Sequence, residues 1–369
     1  MSESLDAADL CWPVQLGSFY YEPRASLGQD APPIAETLDL GGWLLACCDG
    51  VGGRGAGTYL LDGEQWSGAR LGSRAVADTL RDIFMSPPVS NVLEPPLNAV
   101  RCTGGSPLEA LTSAFEKSIT LSLDQLSART ERQGVALSSS DDFPSTLVSV
   151  VGSVHDRMGS TVTWERVVWA GDSRVYVLTP EAGLHQVTVD DLRITEDALD
   201  NLTYDSPMSN YIRGNRSWFL HGTQFTMSTP HVTFACSDGC FGYVRAPWDF
   251  EALLLEAIST ASTVLECCEV LRASIKQITG DDSTFAACFV GWSSYDEARA
   301  SYSARAQMLA REYTDVVAKA QANASPEQAK AQLQAIRRSL WARYRRNYYA
   351  MHPHLADVSG ESAIEEDEK

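Results

Sequence analysis

The chain has 369 residues, 44% of them hydrophobic, and a formal net charge of −19 at pH 7. That length holds one large domain with an appendage, or two modest ones, and so acidic a chain argues against a general nucleic-acid binder, which needs a basic face for phosphates. The acidic start (Glu3, Asp6, Asp9) lacks the parts of a signal peptide, and no apolar run approaches the length that spans a bilayer.

In chain order, apolar runs stop repeatedly at acidic turns. Trp43 to Cys48 leads into Asp49, Val167 to Ala170 into Gly171-Asp172, and His231 to Cys236 into Ser237-Asp238. Runs of this length, rich in Val, Phe, Trp and Cys, predict buried strands. After a flexible turn at Gly52 to Gly57, Leu71, Val76, Leu80 and Phe84 show helical spacing within Ser67 to Phe84. Ser86 to Gly105 is Pro-rich and polar, an irregular insertion. A helix follows from Pro107 to Leu123, with Ser106 as N-cap and Glu109 behind it. Ser127 to Asp142, polar and serine-rich, predicts a surface loop. Strands are expected over Ser145 to Val154, Thr161 to Val168 and Arg174 to Leu178, and Asp190 to Arg216 has little periodicity. The pattern is α+β, two antiparallel sheets with helices outside.

The turns gather carboxylates at one sheet edge. Like charges so placed repel, and a site that keeps them ionised needs cations. Oxygen donors without histidine favour Mg²⁺ or Mn²⁺ over zinc. Taken singly, each Asp is an ordinary turn residue. His155, His185, His221, His231, His352 and His354 have no ligand spacing and are expected to be structural or solvated. The nine cysteines lack zinc-ribbon spacing and lie mostly in apolar runs, which predicts a reduced, cytoplasmic protein.

Five motifs fall in a fixed order: Gln29-Asp30, Asp49-Gly50-Val51-Gly52-Gly53, Gly171-Asp172-Ser173-Arg174, Ser237-Asp238-Gly239 and Asp281-Asp282-Ser283-Thr284. From about Phe19 to about Trp292 the chain thereby resembles the metal-dependent protein serine/threonine phosphatases of the PP2C (PPM) family, bacterial type. The resemblance implies a four-layer α-β-β-α sandwich with metals at one edge. It also implies hydrolysis of phosphoserine and phosphothreonine in proteins by water activated between two Mn²⁺ or Mg²⁺ ions, with phosphoproteins and a cognate kinase system as partners. By the same resemblance Asp49 bridges both ions with the Gly50 carbonyl as a further ligand, Asp238 and Asp281 hold the other metal position, and Asp30 binds through water. Asp49, Asp238 and Asp281 are then the catalytic set. Asp172 matches an aspartate on site water or a third, weaker ion, or else it only orients its turn. Asp281 is preferred to Asp282 because the family's Asp-x-x-Ser/Thr pattern ends at Thr284.

Three positions depart from the family. Val51 stands where a histidine often follows the first Asp-Gly, so leaving-group protonation falls to water or another group. Gly242 offers no carboxylate where many members have one, which argues against a third ion. Arg24, the candidate for substrate phosphate, is displaced by one residue; an arginine suits phosphate through paired hydrogen bonds. Arg213 and Arg216 either meet the substrate from a flap or are plain loop arginines. The departures keep open a second class of function, a catalytically weak phosphatase-like protein that binds phosphoproteins or scaffolds a signalling complex.

Residues 1–293 form the expected phosphatase domain, 294–356 a helical hairpin appendage and 357–369 an acidic disordered tail. Tyr302, Leu309, Tyr313 and Val317 recur at helical intervals; Ser325, Pro326 and Gln328 start a second helix, whose stripe is Leu333, Ile336, Leu340, Tyr344 and Tyr348. Its other faces carry Lys330, Arg337, Arg338, Arg343, Arg345 and Arg346. That basic helix either packs on its own domain, binds a protein partner, or touches an anionic surface.

Overall fold

The computed structural model describes residues 12–25, 27–38, 41–53, 57–85, 106–133, 141–157, 160–194, 197–202, 206–323 and 329–356. One five-stranded sheet runs in the order β1 (Val14–Tyr21), β13 (Ser283–Val290), β12 (His231–Cys236), β9 (Arg174–Thr179), β10 (Gly183–Gln186). The other runs β11 (His221–Met227), β8 (Ser160–Ala170), β7 (Leu147–Arg157), β3 (Gly42–Cys47), β2 (Ile34–Leu38). All their pairings are antiparallel. A third, three-stranded sheet of β4 (Thr58–Leu61), β5 (Glu64–Ser67) and β6 (Glu131–Gln133) stands apart.

The strand sequences explain the layers. Every residue of β3 is buried, and its two faces enter different cores. Trp43, Leu45 and Cys47 join Val148, Val150, Val175 and Ala286 between the sheets; Leu44 and Ala46 face the helices α1 (Gly68–Met85) and α2 (Pro107–Arg129) through Val76, Leu80, Phe115 and Ile119. Side-chain alternation with period two makes this division automatic. On the opposite side Phe234, Phe285 and Phe289 pack beneath α5 (Pro247–Thr260) and α6 (Val264–Ile275). The result is the four-layer α-β-β-α sandwich expected.

Local rules hold where they were legible. Ser106 accepts from the Glu109 N–H and Glu109 returns the bond to the Ser106 N–H, a complete capping box. The predicted loop over Ser127 to Asp142 is corrected in its described part: α2 continues to Arg129, and Glu131–Gln133 pairs with β4. The insertion Ser86 to Gly105 and the start signal at Ser325, Pro326 and Gln328 lie outside the described residues. No helix among the described residues is long and apolar enough to cross a membrane.

Beyond β13 a helix, α7 (Tyr295–Leu309), passes through a π-helical turn (Ala310–Thr314) into α8 (Asp315–Asn323), and α9 (Ala329–Tyr348) returns antiparallel to them. Tyr302, Leu309, Tyr313, Leu340, Trp341, Tyr344, Tyr348 and Tyr349 all enter the core that holds Trp248, Phe250 and Leu178. A buried ion pair ties the layers: Glu251 on α5 accepts two bonds from Arg305 on α7, at 2.6 and 2.8 Å, and one from the Tyr344 hydroxyl on α9 at 2.5 Å. Three of the arginines of α9 turn to the same chain, Arg338 toward Asp200, Arg343 toward Glu312 and Arg345 on the Leu355 carbonyl.

Candidate metal centre

Each motif aspartate is placed by a chain turn at the same end of the two sheets. Asp49 follows β3, and its backbone is pinned on both sides by Thr146: the Asp49 N–H donates to Thr146 Oγ1 at 3.1 Å and the Thr146 N–H to the Asp49 carbonyl at 2.8 Å. Thr146 Oγ1 also lies 2.7 Å from Ser173 Oγ, so the turn bearing Asp172 is fastened to the turn bearing Asp49. Gly171 makes that turn possible. Its φ is +100°, and a Cβ there would stand 2.7 Å from the Thr146 methyl.

On the other sheet, Ser237 binds the Thr284 backbone twice, as N–H donor to its carbonyl at 3.0 Å and as hydroxyl acceptor from its N–H at 2.9 Å. Asp238 opens a single helical turn, α4 (Asp238–Phe241), and a Cβ on Gly239 would lie 1.8 Å from the Asp282 carbonyl. Only glycine permits the approach that brings Asp238 beside Asp281. Thr284 then donates its hydroxyl to Asp30 Oδ2 at 2.9 Å, and the Gln29 N–H donates to Asp282 Oδ2 at 2.5 Å. Asp282 is thus a loop fastener, whereas Asp281 is exposed to the cleft.

Asp49, Gly50, Asp172, Asp238, Asp281, Asp282 and Arg24 line one cleft of about 430 Å³. Asp49 sits among them, near enough to the carboxyls of Asp30 and Asp238 to influence the proton affinity of both. Burial, opposed by bonds from Asp49, Ser237 and Thr284, pushes Asp30 up to about 7; burial and then the charge of Asp281 push Asp238 up to about 6. Asp49 and Asp172 are raised well above the usual carboxylate range, first by burial and then by charge, of Asp30 and Asp238 on Asp49 and of Asp238 on Asp172. Asp172 Oδ1 is buried without a hydrogen-bond partner.

Burial is the first cause of these upward shifts, and little cationic charge stands beside the carboxylates to offset it. Arg174, the nearest buried guanidinium in the motif, is committed to Asp190 through bonds of 2.8 and 2.6 Å. An orphaned carboxylate oxygen and several mutually repelling aspartates are a donor set that fits hard divalent cations. Among the described residues no group of three or more His, Cys, Asp and Glu side chains is arranged closely enough to hold a metal ion.

Other expected residues fall elsewhere. Arg213 and Arg216 both turn to buried Asp141 and line a separate cleft with Glu116 and Trp218, sharing no residue with the one at Asp49. The histidines take structural partners: His231 pairs with Glu165 and His221 with Asp191, while His185 and His352 bond the carbonyls of Asn347 and Val187. Thr146 and the Arg174–Asp190 pair were not expected. Only Arg174 had a signal, its place in the Gly-Asp-Ser-Arg motif.

The fold is that of the PP2C-type serine/threonine phosphatases. The serine/threonine phosphatase Stp1 from Staphylococcus aureus superposes with a TM-score of 0.54 at 16% identity, covering 75% of this chain and 95% of that one. A bacterial serine phosphatase superposes with a TM-score of 0.52 at 16% identity, over 76% of this chain and 98% of its own. No protein-family model and no curated protein matches the sequence.

Proposed function

We propose that this chain hydrolyses phosphate monoesters of serine and threonine in proteins, with Mn²⁺ or Mg²⁺ held by Asp49, the Gly50 carbonyl, Asp238 and Asp281, and with Asp30 behind them. The observation that carries the reading is the convergence of Asp49, Gly50, Asp172, Asp238 and Asp281 on one cleft at the edge of a phosphatase-type sandwich. Bound divalent ions supply Lewis-acid stabilisation of phosphoryl charge and lower the pKa of water. The chain supplies the rest. Asp49, locked by Thr146, keeps its carboxylate at the centre of the cluster; Thr284 orients Asp30; and Ser237 fixes the turn that presents Asp238. Exposed Arg24 on the cleft rim meets the phosphate dianion. Val51 offers no ionisable proton, so the departing serine or threonine oxygen takes its proton from water or another group.

Two strongly held ions are proposed, with Asp172 left for a weak third contact at most. Phosphoprotein substrates imply an opposing kinase. The test is release of phosphate from an aryl phosphate and from a phosphoserine peptide with Mn²⁺, with Mg²⁺ and with EDTA. Turnover only with metal supports the reading. Metal binding by calorimetry with no turnover on either substrate would instead support the phosphoprotein-binding class.

A further inference from the structure

Beside the carboxylates the cleft continues into a second lobe of about 380 Å³, where Asp172, Asp238 and Asp281 face Asn201, Leu202 and Tyr243. Anything joined to a phosphate seated at Asp49 extends into this lobe or away from it. Its wall at Asn201 and Leu202 is the end of a one-turn helix, α3 (Ala198–Asn201). A single turn does not persist alone, because nucleation fixes several residues for one hydrogen bond. Something else holds it.

The holder is the C-terminal helix α9 and the residue that follows it. Asp197 caps α3, one carboxylate oxygen accepting from the Leu199 and Asp200 N–H groups at 3.1 Å each. Its other oxygen accepts the Trp341 indole N–H at 2.7 Å, which fixes the cap's orientation. The remaining early amide, on Ala198, donates to the Tyr349 hydroxyl at 2.7 Å. Ala198 and Leu199 are buried in the same core as Trp341, Tyr348 and Tyr349. Every early donor of α3 is therefore satisfied by its own cap or by the hairpin.

We propose that Trp341 and Tyr349 are positioning residues that set the substrate wall of the cleft, so that the C-terminal hairpin selects among phosphorylated peptides without touching the reacting phosphate. The proposal rests on the phosphatase reading for what the cleft holds. It requires peptide recognition to respond to the hairpin while the hydrolytic cluster does not.

The experiment uses the full chain with Mn²⁺ and compares Tyr349→Phe and Trp341→Phe with Tyr302→Phe. The last removes an equally buried hydroxyl bond, to the Leu178 carbonyl at 2.6 Å, at a point of the hairpin away from the wall. Kinetics are measured on a phosphoserine peptide and on an aryl phosphate, and hydrogen exchange is followed over residues 197–202. Tyr349→Phe and Trp341→Phe are expected to raise KM for the peptide about tenfold, the scale of one buried hydrogen bond, and to speed exchange at 197–202. Aryl phosphate turnover stays within about twofold, the split that separates substrate positioning from damage to the reacting centre. Tyr302→Phe leaves both the peptide KM and that exchange unchanged. Unaltered exchange, equal losses on both substrates, or the same KM rise in Tyr302→Phe would each overturn the proposal. A wild-type chain that hydrolyses neither substrate sinks the phosphatase reading itself, and the selectivity claim with it.

Discussion

If divalent cations occupy the aspartate cluster, the stability they confer must grow steeply with pH. Asp30 and Asp238 stand at about 7 and about 6 in the folded chain against an ordinary 3.8. The folded state therefore binds more protons than the unfolded one between those limits. The contribution of these two groups is fully present below about pH 4 and is lost as pH rises through 6 and 7. Cations reverse this, because they bind the deprotonated cluster and compete with the same protons. Between pH 5 and pH 8 that competition falls about tenfold at Asp238 and about ninetyfold at Asp30. Together this is about a thousandfold in apparent affinity, or roughly 4 kcal/mol of extra cation-dependent stability. The assay is urea unfolding at both pH values with EDTA and with saturating Mn²⁺. Subtracting the EDTA value at each pH removes the titration of every other group. A Mn²⁺-dependent gain that is equal at the two pH values, or larger at pH 5, would refute the reasoning.

Asp49→Asn should cost more than the roughly 10–100-fold in turnover that a supporting residue carries, while the metal-free protein becomes more stable at neutral pH because an amide takes up no proton on folding, as the raised Asp49 carboxyl must; paired kinetic and melting measurements check both. Asp282→Asn should stay within about tenfold of the wild type, since an amide oxygen can still accept the Gln29 N–H, and Asp281→Asn should lose far more. The opposite order in steady-state kinetics would assign the last motif to Asp282. Arg305→Ala should cost about 3–5 kcal/mol in urea unfolding by leaving fully buried Glu251 without its counter-charge; a loss under about 1 kcal/mol would show that water reaches the pair. Ending the chain at Trp292 should yield insoluble protein, because it uncovers Trp248, Phe250 and Leu178 together. Recovery of a soluble, cooperatively melting fragment would count against that packing.

The strands were legible because burial on both faces writes an unbroken apolar run, as in Trp43 to Cys47, and a turn aspartate marks its end. The helices Pro247–Thr260 and Val264–Ile275 were not, although Pro247 and Thr263 stand at their starts. Trp248, Phe250, Leu254, Leu255, Ala257 and Ile258 are all buried, and apolar residues on so many sides blur the helical period. The aspartates could be read because each belongs to a local motif. Thr146, which locks Asp49, and Asp190, which holds Arg174, meet their partners only through the fold. The basic residues of α9 were plain in the sequence, but Glu312 and Asp200, which receive Arg343 and Arg338, carry no mark of that pairing.

The chain changes sheets at two of the site's carboxylates: Asp30 lies between β1 and β2, and Asp172 between β8 and β9. Asp238 and Asp281 arrive only with the last two strands of the sandwich, and β13 pairs along the whole of β1. The full set of repelling charges is therefore complete only when the first and final strands have paired. No shorter stretch of the polypeptide contains the cluster. An ion captured as those strands pair would act as a latch across the seam, making assembly of the sandwich and loading of its edge a single event.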